Sequence, residues 1–169
     1  MIVKALLEGL VWSSMWIFYV YMLLRWFPWE MVHEYPEDVK QACTLPEPDE
    51  NQKKSAKFWG GLVSVIILIT LAVFGIEHFR NTVFSFFELF LFLFIIGQTW
   101  NAVDLIIMDF LIVCTLRPKW VVLPGTDGCA GYGDYFFHFK GFLIGCVYTA
   151  IMALLIAGID WAVLHSVFS

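Results

Sequence analysis

Uninterrupted apolar runs occupy residues 5–24, 58–76, 83–116 and 141–159, with charge, proline and glycine gathered between them. A hydrocarbon core about 30 Å thick takes roughly 20 apolar residues of helix, so each run is long enough to cross one. The first carries Glu8 near its start and ends at Arg25, Trp26, Pro28 and Trp29, the aromatic and cationic edge of a membrane interface. The second holds no charge. The fourth is entered through Phe136, Phe137, His138, Phe139 and Lys140 and closed by Asp160 and Trp161. The pattern predicts an all-α integral membrane protein, one polytopic domain over 1–169 whose four transmembrane helices form a bundle. The first run is longer than a signal-peptide core and lacks a small-residue cleavage pattern before Arg25, so it is expected to remain as a helix.

Composition closes the alternatives. With 60% hydrophobic and 15% charged residues, against roughly 45–50% and about 25% in soluble domains, a water-soluble fold would expose large apolar patches. The net charge of −5 and the scattering of ten Lys and Arg exclude nucleic acid as a partner. Those cations also orient the chain. The connection 25–57 holds Arg25, Lys40, Lys53, Lys54 and Lys57, and the connection 117–140 holds Arg117, Lys119 and Lys140, leaving Lys4 and Arg80 for the other side. By the positive-inside bias both connections are expected in the cytoplasm and both termini outside, in a multi-pass protein of the cell membrane. Cys43, Cys114, Cys129 and Cys146 have no metal-ligand spacing, and the orientation leaves two of them in a reducing compartment, so neither a disulfide framework nor a metal site is expected, nor any cofactor.

The connections differ in character. Residues 33–42 read as a short helix, with Pro36 at its first position and Glu37 and Asp38 at the positive end of its dipole, whereas 46–54 read as a solvated, proline-broken linker. After Arg117, Pro118 and Lys119, the Pro124-Gly125 and Asp127-Gly128 turns predict backbone folded against the membrane face of the bundle. The glycines match no phosphate-cradling pattern.

The third run carries the chemistry, because Gln98, Asn101, Asp104 and Asp109 interrupt it. At 3.6 residues per turn, Gly97, Asn101, Asp104 and Met108 share one stripe and Gln98, Ala102 and Asp109 an adjacent one. An ionised Asp at mid-bilayer costs about 2.5–3.5 kcal/mol on insertion scales, so both stripes are expected to face the bundle interior or a wet cavity. Thirty-four helical residues would measure about 51 Å, so this helix must protrude or break. Asp104 is expected in the inner half of the bilayer and Asp109 about one turn from the headgroups. Asn101 and Asp104 are candidates either for an ion or proton path or for interhelical bonds to Ser13, Ser14, Ser64, Tyr19 or Tyr148. His138 and Lys140, close in topology to Asp109, Arg117, Lys119 and Asp134, are candidates for an anion or lipid-headgroup pocket, or for snorkelling cations in an aromatic belt. His78 with Glu77, and His165 with Asp160, are expected at the solvated outer rim.

The pattern Asn101, Asp104-Leu105, Asp109, then Arg117-Pro118-Lys119, Pro124-Gly125-Thr126 and His138-Phe139-Lys140-Gly141-Phe142 resembles that of small bacterial membrane proteins over roughly the C-terminal half. The resemblance implies no activity. Three functions remain in view: a transporter or proton-handling protein using Asn101, Asp104, Asp109 and Gln98; a non-catalytic accessory subunit; or a membrane enzyme acting on a lipid headgroup held by Arg117, Lys119, His138 and Lys140. The partners expected are the lipid bilayer and a homo-oligomer or larger membrane complex.

Overall fold

The computed structural model describes residues 1–167, and these are helical without strands. Helix α1 is Ile2–Trp26, and two 3-10 turns, Pro28–Glu30 and Val32–Glu34, lead to the short α2, Glu37–Ala42. The long α3, Glu50–Phe79, is followed by α4, Phe86–Val103, which runs on as a π-helix over Asp104–Leu116. A 3-10 turn, Ala130–Gly133, precedes α5, Tyr135–Val167. Four of these rods, Ile2–Trp26, Glu50–Phe79, Phe86–Leu116 and Tyr135–Val167, are long and apolar enough to cross a membrane. Their outer faces carry exposed Leu7, Leu10, Phe18, Ile66, Ile69, Leu143, Ile151 and Leu155, which water would not tolerate in such numbers.

Three of the rods outrun their apolar windows while the third starts three residues inside its own, and polar boxes set the starts of α3 and α4. Asp49 accepts from the backbone of Asn51 and Gln52 at 2.8 Å each, while Gln52 Oε1 accepts from Asp49 N at 2.9 Å. That reciprocal box starts α3 at Glu50, so 50–54 are helix and not linker. Ser85 and Glu88 make the same box at α4, with Glu88 Oε2 accepting from Ser85 N at 2.7 Å. Pro36 is the residue before α2 and not its first residue, and its extended ψ of 159° sends the chain into the helix one position later than expected.

The chain forms two compact units. The first comprises Met1–Trp16, Val65–Val103 and residues 142–167. Its helices approach closely where glycines face side chains: a Cβ at Gly9 would lie 2.6 Å from Thr99 Cβ, and one at Gly97 would lie 3.3 Å from Thr149 Cβ. Such small-residue contacts bring backbones within reach of polar side chains in lipid. Trp12 lies at the centre, fully buried, donating to Ile67 O at 2.9 Å and meeting Trp16 and Trp100 edge-on at 5.7 and 5.6 Å. Asp160, expected at a solvated rim, is instead 0% exposed. It lies inside α5, which continues to Val167, and Gly75 leaves the space its carboxyl occupies.

The second unit comprises Ile17–Ser64 and Asp104–Gly141. Here the two long connections are folded together. Tyr35, Val39, Val121, Leu123 and Tyr132 form a core with Leu24 and Val113. Tyr35 Oη donates to Val121 O at 2.8 Å, Thr44 N to Pro124 O at 2.9 Å, and Gly131 N to Asp38 Oδ2 at 2.8 Å. Tyr132 Oη accepts from Leu123 N at 2.9 Å and shares a hydrogen bond with Thr126 Oγ1 at 2.7 Å. Burial pushes both phenols, Tyr35 and Tyr132, above the ordinary tyrosine range.

Candidate functional site

The π-helix sets the geometry of the candidate site. Its backbone bonds reach five residues back, as where Arg117 N donates to Ile112 O at 2.8 Å, and the Thr115 side-chain hydroxyl donates over the same span to Phe110 O at 2.6 Å. In an α-helix residues five apart lie well round from one another; in a π-helix five residues make little more than one turn, so Asp104 and Asp109 come to one side. This corrects the two-stripe expectation, which assumed 3.6 residues per turn through Leu116. The winding ends at Arg117, whose φ of 47° is left-handed, with Pro118 next barring continuation.

The first turns of α5 lie along this π segment. Thr115 Oγ1 meets Tyr135 Oη at 3.0 Å, Phe110 packs edge-on against Tyr135 with ring centroids 5.0 Å apart, and His138 Nδ1 lies 2.9 Å from Asp109 Oδ1. Phe110 and Thr115 are one π turn apart; Tyr135 and His138 are three apart on α5, so the two helices meet along a seam. His138 is buried, with its side chain 7% exposed, and Asp109 is partly open at 24%. The far ring nitrogen, Nε2, is enclosed and without a hydrogen-bond partner. Asp104 opens the π segment, five residues before Asp109.

This arrangement fixes the imidazole. Asp109 accepts the Nδ1 hydrogen and sets the tautomer, so a neutral ring presents a lone pair at Nε2 and a charged ring presents a proton there. In either state Nε2 is the ring nitrogen that Asp109 leaves unengaged. The group can therefore hold or pass a proton, with a second carboxyl nearby to share the charge.

The other candidates lie elsewhere. Gln98 and Asn101 belong to the first unit, where Gln98 Nε2 donates to Thr149 Oγ1 at 2.6 Å and Cys146 O at 3.1 Å. Asn101 Nδ2 donates to Phe142 O at 3.1 Å and Cys146 Sγ at 3.3 Å. Both tie α4 to α5. The hydroxyls expected to meet them are used otherwise: Ser13 donates to Gly9 O, Ser14 to Val11 O, and Ser64 to Tyr19 Oη. Tyr148 is exposed.

Among the proposed headgroup ligands, Arg117 Nε donates to Cys114 O at 3.1 Å, Lys119 is exposed, and Lys140 Nζ lies 4.5 Å over the Phe136 ring. Among the described residues Asp109 pairs with His138 and with no lysine or arginine. No three His, Cys, Asp or Glu groups among them converge as a metal-holding set. What sequence reasoning missed is the carboxylate alignment and the enclosure of Nε2. The sequence signal for the first was the five-residue spacing of Asp104 and Asp109, readable only with the π winding known.

The sequence matches no protein-family model, and neither the curated proteins nor the solved structures yield a match to it.

Proposed function

We propose that this is a multi-pass protein of the cell membrane that handles protons, with Asp109 and His138 as the exchanging pair and Asp104 as the neighbouring acceptor. The observation that carries this reading is the 2.9 Å His138–Asp109 contact with Nε2 enclosed and unpartnered. Ionisable groups within membrane-crossing helices are costly to keep, and they mark proton relays and ion paths by default. The two long connections, holding eight of the ten Lys and Arg, face the cytoplasm in this reading, with both termini outside. A homo-oligomer in the bilayer would supply further helices to enclose a path. Gln98 and Asn101 act as positioning residues, since their side chains bond α5. The lipid-headgroup enzyme finds less support, because Lys140 lies over the Phe136 ring and Arg117 donates to Cys114 O.

The test is proton flux into proteoliposomes, read with an internal pH dye under an imposed gradient. Asp109→Asn and His138→Gln should each abolish the protein-dependent flux, and Asp104→Asn should reduce it. Flux unchanged in both Asp109→Asn and His138→Gln would overturn the reading and favour a non-catalytic accessory subunit.

A further inference from the structure

The first unit contains an acid that the proposed proton chemistry does not use. Asp160 on α5 is fully enclosed, and both of its carboxyl oxygens are buried without a hydrogen-bond partner. It sits in a notch of α3. A Cβ added at Gly75 would collide with Asp160 Oδ2, and the next atoms met would be Leu93 Cδ2 at 3.2 Å and Leu89 Cδ1 at 3.3 Å, both from α4. A glycine on one helix and two leucines on another therefore wall the acid in.

The titratable groups of the surrounding elements are engaged elsewhere. On α3, Glu77 pairs with Arg80 at 3.1 Å and the His78 ring stacks on Phe92 at 4.3 Å. On α4, Glu88 is held by Ser85, and on α5 itself the His165 ring lies 4.0 Å from that of Trp161. On α1, Lys4 pairs with Glu8 at 3.6 Å. Among the described residues neither oxygen of Asp160 has a partner.

We propose that Asp160 is a second proton-binding site, which holds its proton as a neutral acid while α3, α4 and α5 are closed around it and releases it when they part. An ionised carboxylate here would have lost its water and gained nothing, so the group is neutral when enclosed. The ligand is a proton and not a metal ion, because Gly75, Leu89 and Leu93 bring no side-chain oxygen, whereas hard cations take six or more oxygen ligands. Nor is Asp160 interhelical glue. A glue residue donates to a neighbouring helix, as Asn101 and Gln98 do, and this carboxyl has no acceptor. The inference stands apart from the flux reading, since it concerns a different unit and different residues.

The test is infrared spectroscopy of the full chain in lipid, comparing wild type with Asp160→Asn. The wild type should show the carbonyl stretch of a protonated carboxyl free of hydrogen bonds, lost in the variant and lost reversibly in the wild type as pH is raised. A difference spectrum that instead removes a carboxylate band at neutral pH would overturn the proposal. So would an acid band that persists until the helices unfold, because that proton is never exchanged. Should Asp160→Asn fail to fold, a lipid-soluble carbodiimide provides the second measurement on the wild type. The acid's proton passes to a carbodiimide nitrogen as the carboxyl oxygen adds to the central carbon, and rearrangement leaves an N-acylurea carrying the whole reagent. Mass spectrometry should find this adduct on the Asp160 peptide, diminishing as pH rises. Its absence, together with no pH-dependent acid band in the wild type, refutes the site. A null flux result leaves these signals unaffected, so failure of one reading is distinguishable from failure of the other.

Discussion

Gly145→Ala is the sharpest test of how α4 and α5 meet. The three atoms nearest a Cβ at that position all belong to Asn101: Oδ1 in outright collision, Cγ at 3.1 Å and Nδ2 at 3.3 Å. Asn101 has little room to retreat, being 6% exposed and held by its bonds to Phe142 O and Cys146 Sγ. Overpacking of a filled site costs about 1–3 kcal/mol, and that is the expected loss for Gly145→Ala alone. Asn101→Ala deletes every atom in the collision. Alone it loses interhelical bonds averaging about 0.6 kcal/mol each in membranes. In that background Gly145→Ala should be neutral or stabilising by about 0.5–1 kcal/mol, the advantage of alanine over glycine within a helix. The double-mutant cycle should therefore give a coupling of about 1–4 kcal/mol. Denaturation in mixed micelles, followed through the fluorescence of the Trp12, Trp16 and Trp100 cluster in the same unit, measures all four corners. Equal costs of Gly145→Ala in the two backgrounds would refute the packing argument.

Two further outcomes concern the folded connections. Burial holds Tyr35 and Tyr132 above the ordinary tyrosine range, so the folded state keeps its phenolic protons where the unfolded state has lost them. Their contribution is complete below about pH 10 and is lost as pH rises above it. Ultraviolet titration should show late tyrosinate formation that moves toward the ordinary range in urea; Tyr35→Phe should remove one late phenol and cost about 0.5–1.5 kcal/mol for the bond to Val121 O. Gly125→Ala forces a side chain onto a φ of 81°, with its Cβ 2.7 Å from Thr44 Cγ2 and 2.9 Å from Ala42 O. The left-handed conformation alone costs about 1–2 kcal/mol for an L-residue, so limited proteolysis should open residues 42–49 faster than in wild type while helical circular dichroism is retained.

The four helices long and apolar enough to cross a membrane were legible because hydrophobic run length is a local property, and the length needed is set by bilayer thickness and helical rise. Their ends were less so. Asp49, Gln52, Ser85 and Glu88 read as polar punctuation in a hydropathy count, whereas each pair supplies the reciprocal bonds that start a helix. The folding of the 117–134 connection was signalled by its Pro-Gly and Asp-Gly turns. Its partner was not, because Tyr35 reaches Val121 across 86 residues of chain. Asp160 was misplaced for a similar reason: proximity to the end of an apolar run suggested water, and the deciding residue, Gly75, lies on another helix.

The site on the third helix was half legible, and the missing half follows from the helical repeat. Any reading at 3.6 residues per turn joins Asn101 to Asp104 and separates Asp109 from both. The structure divides the group differently. Asn101 keeps α-helical surroundings and spends its amide on α5, while from Asp104 onward the wider π turn brings Asp104 and Asp109 to one side. A hydrophobic sequence with polar residues spaced by three, then five, fits either winding, so composition cannot choose between them. In the structure the wider winding accompanies contacts of Phe110 and Thr115, five residues apart, with Tyr135 and of Asp109 with His138. If tertiary bonds of this kind sustain the wider winding, then the π segment and the enclosed imidazole are one device: releasing His138 from Asp109 would remove a reason for the π turn and separate the two carboxylates as well.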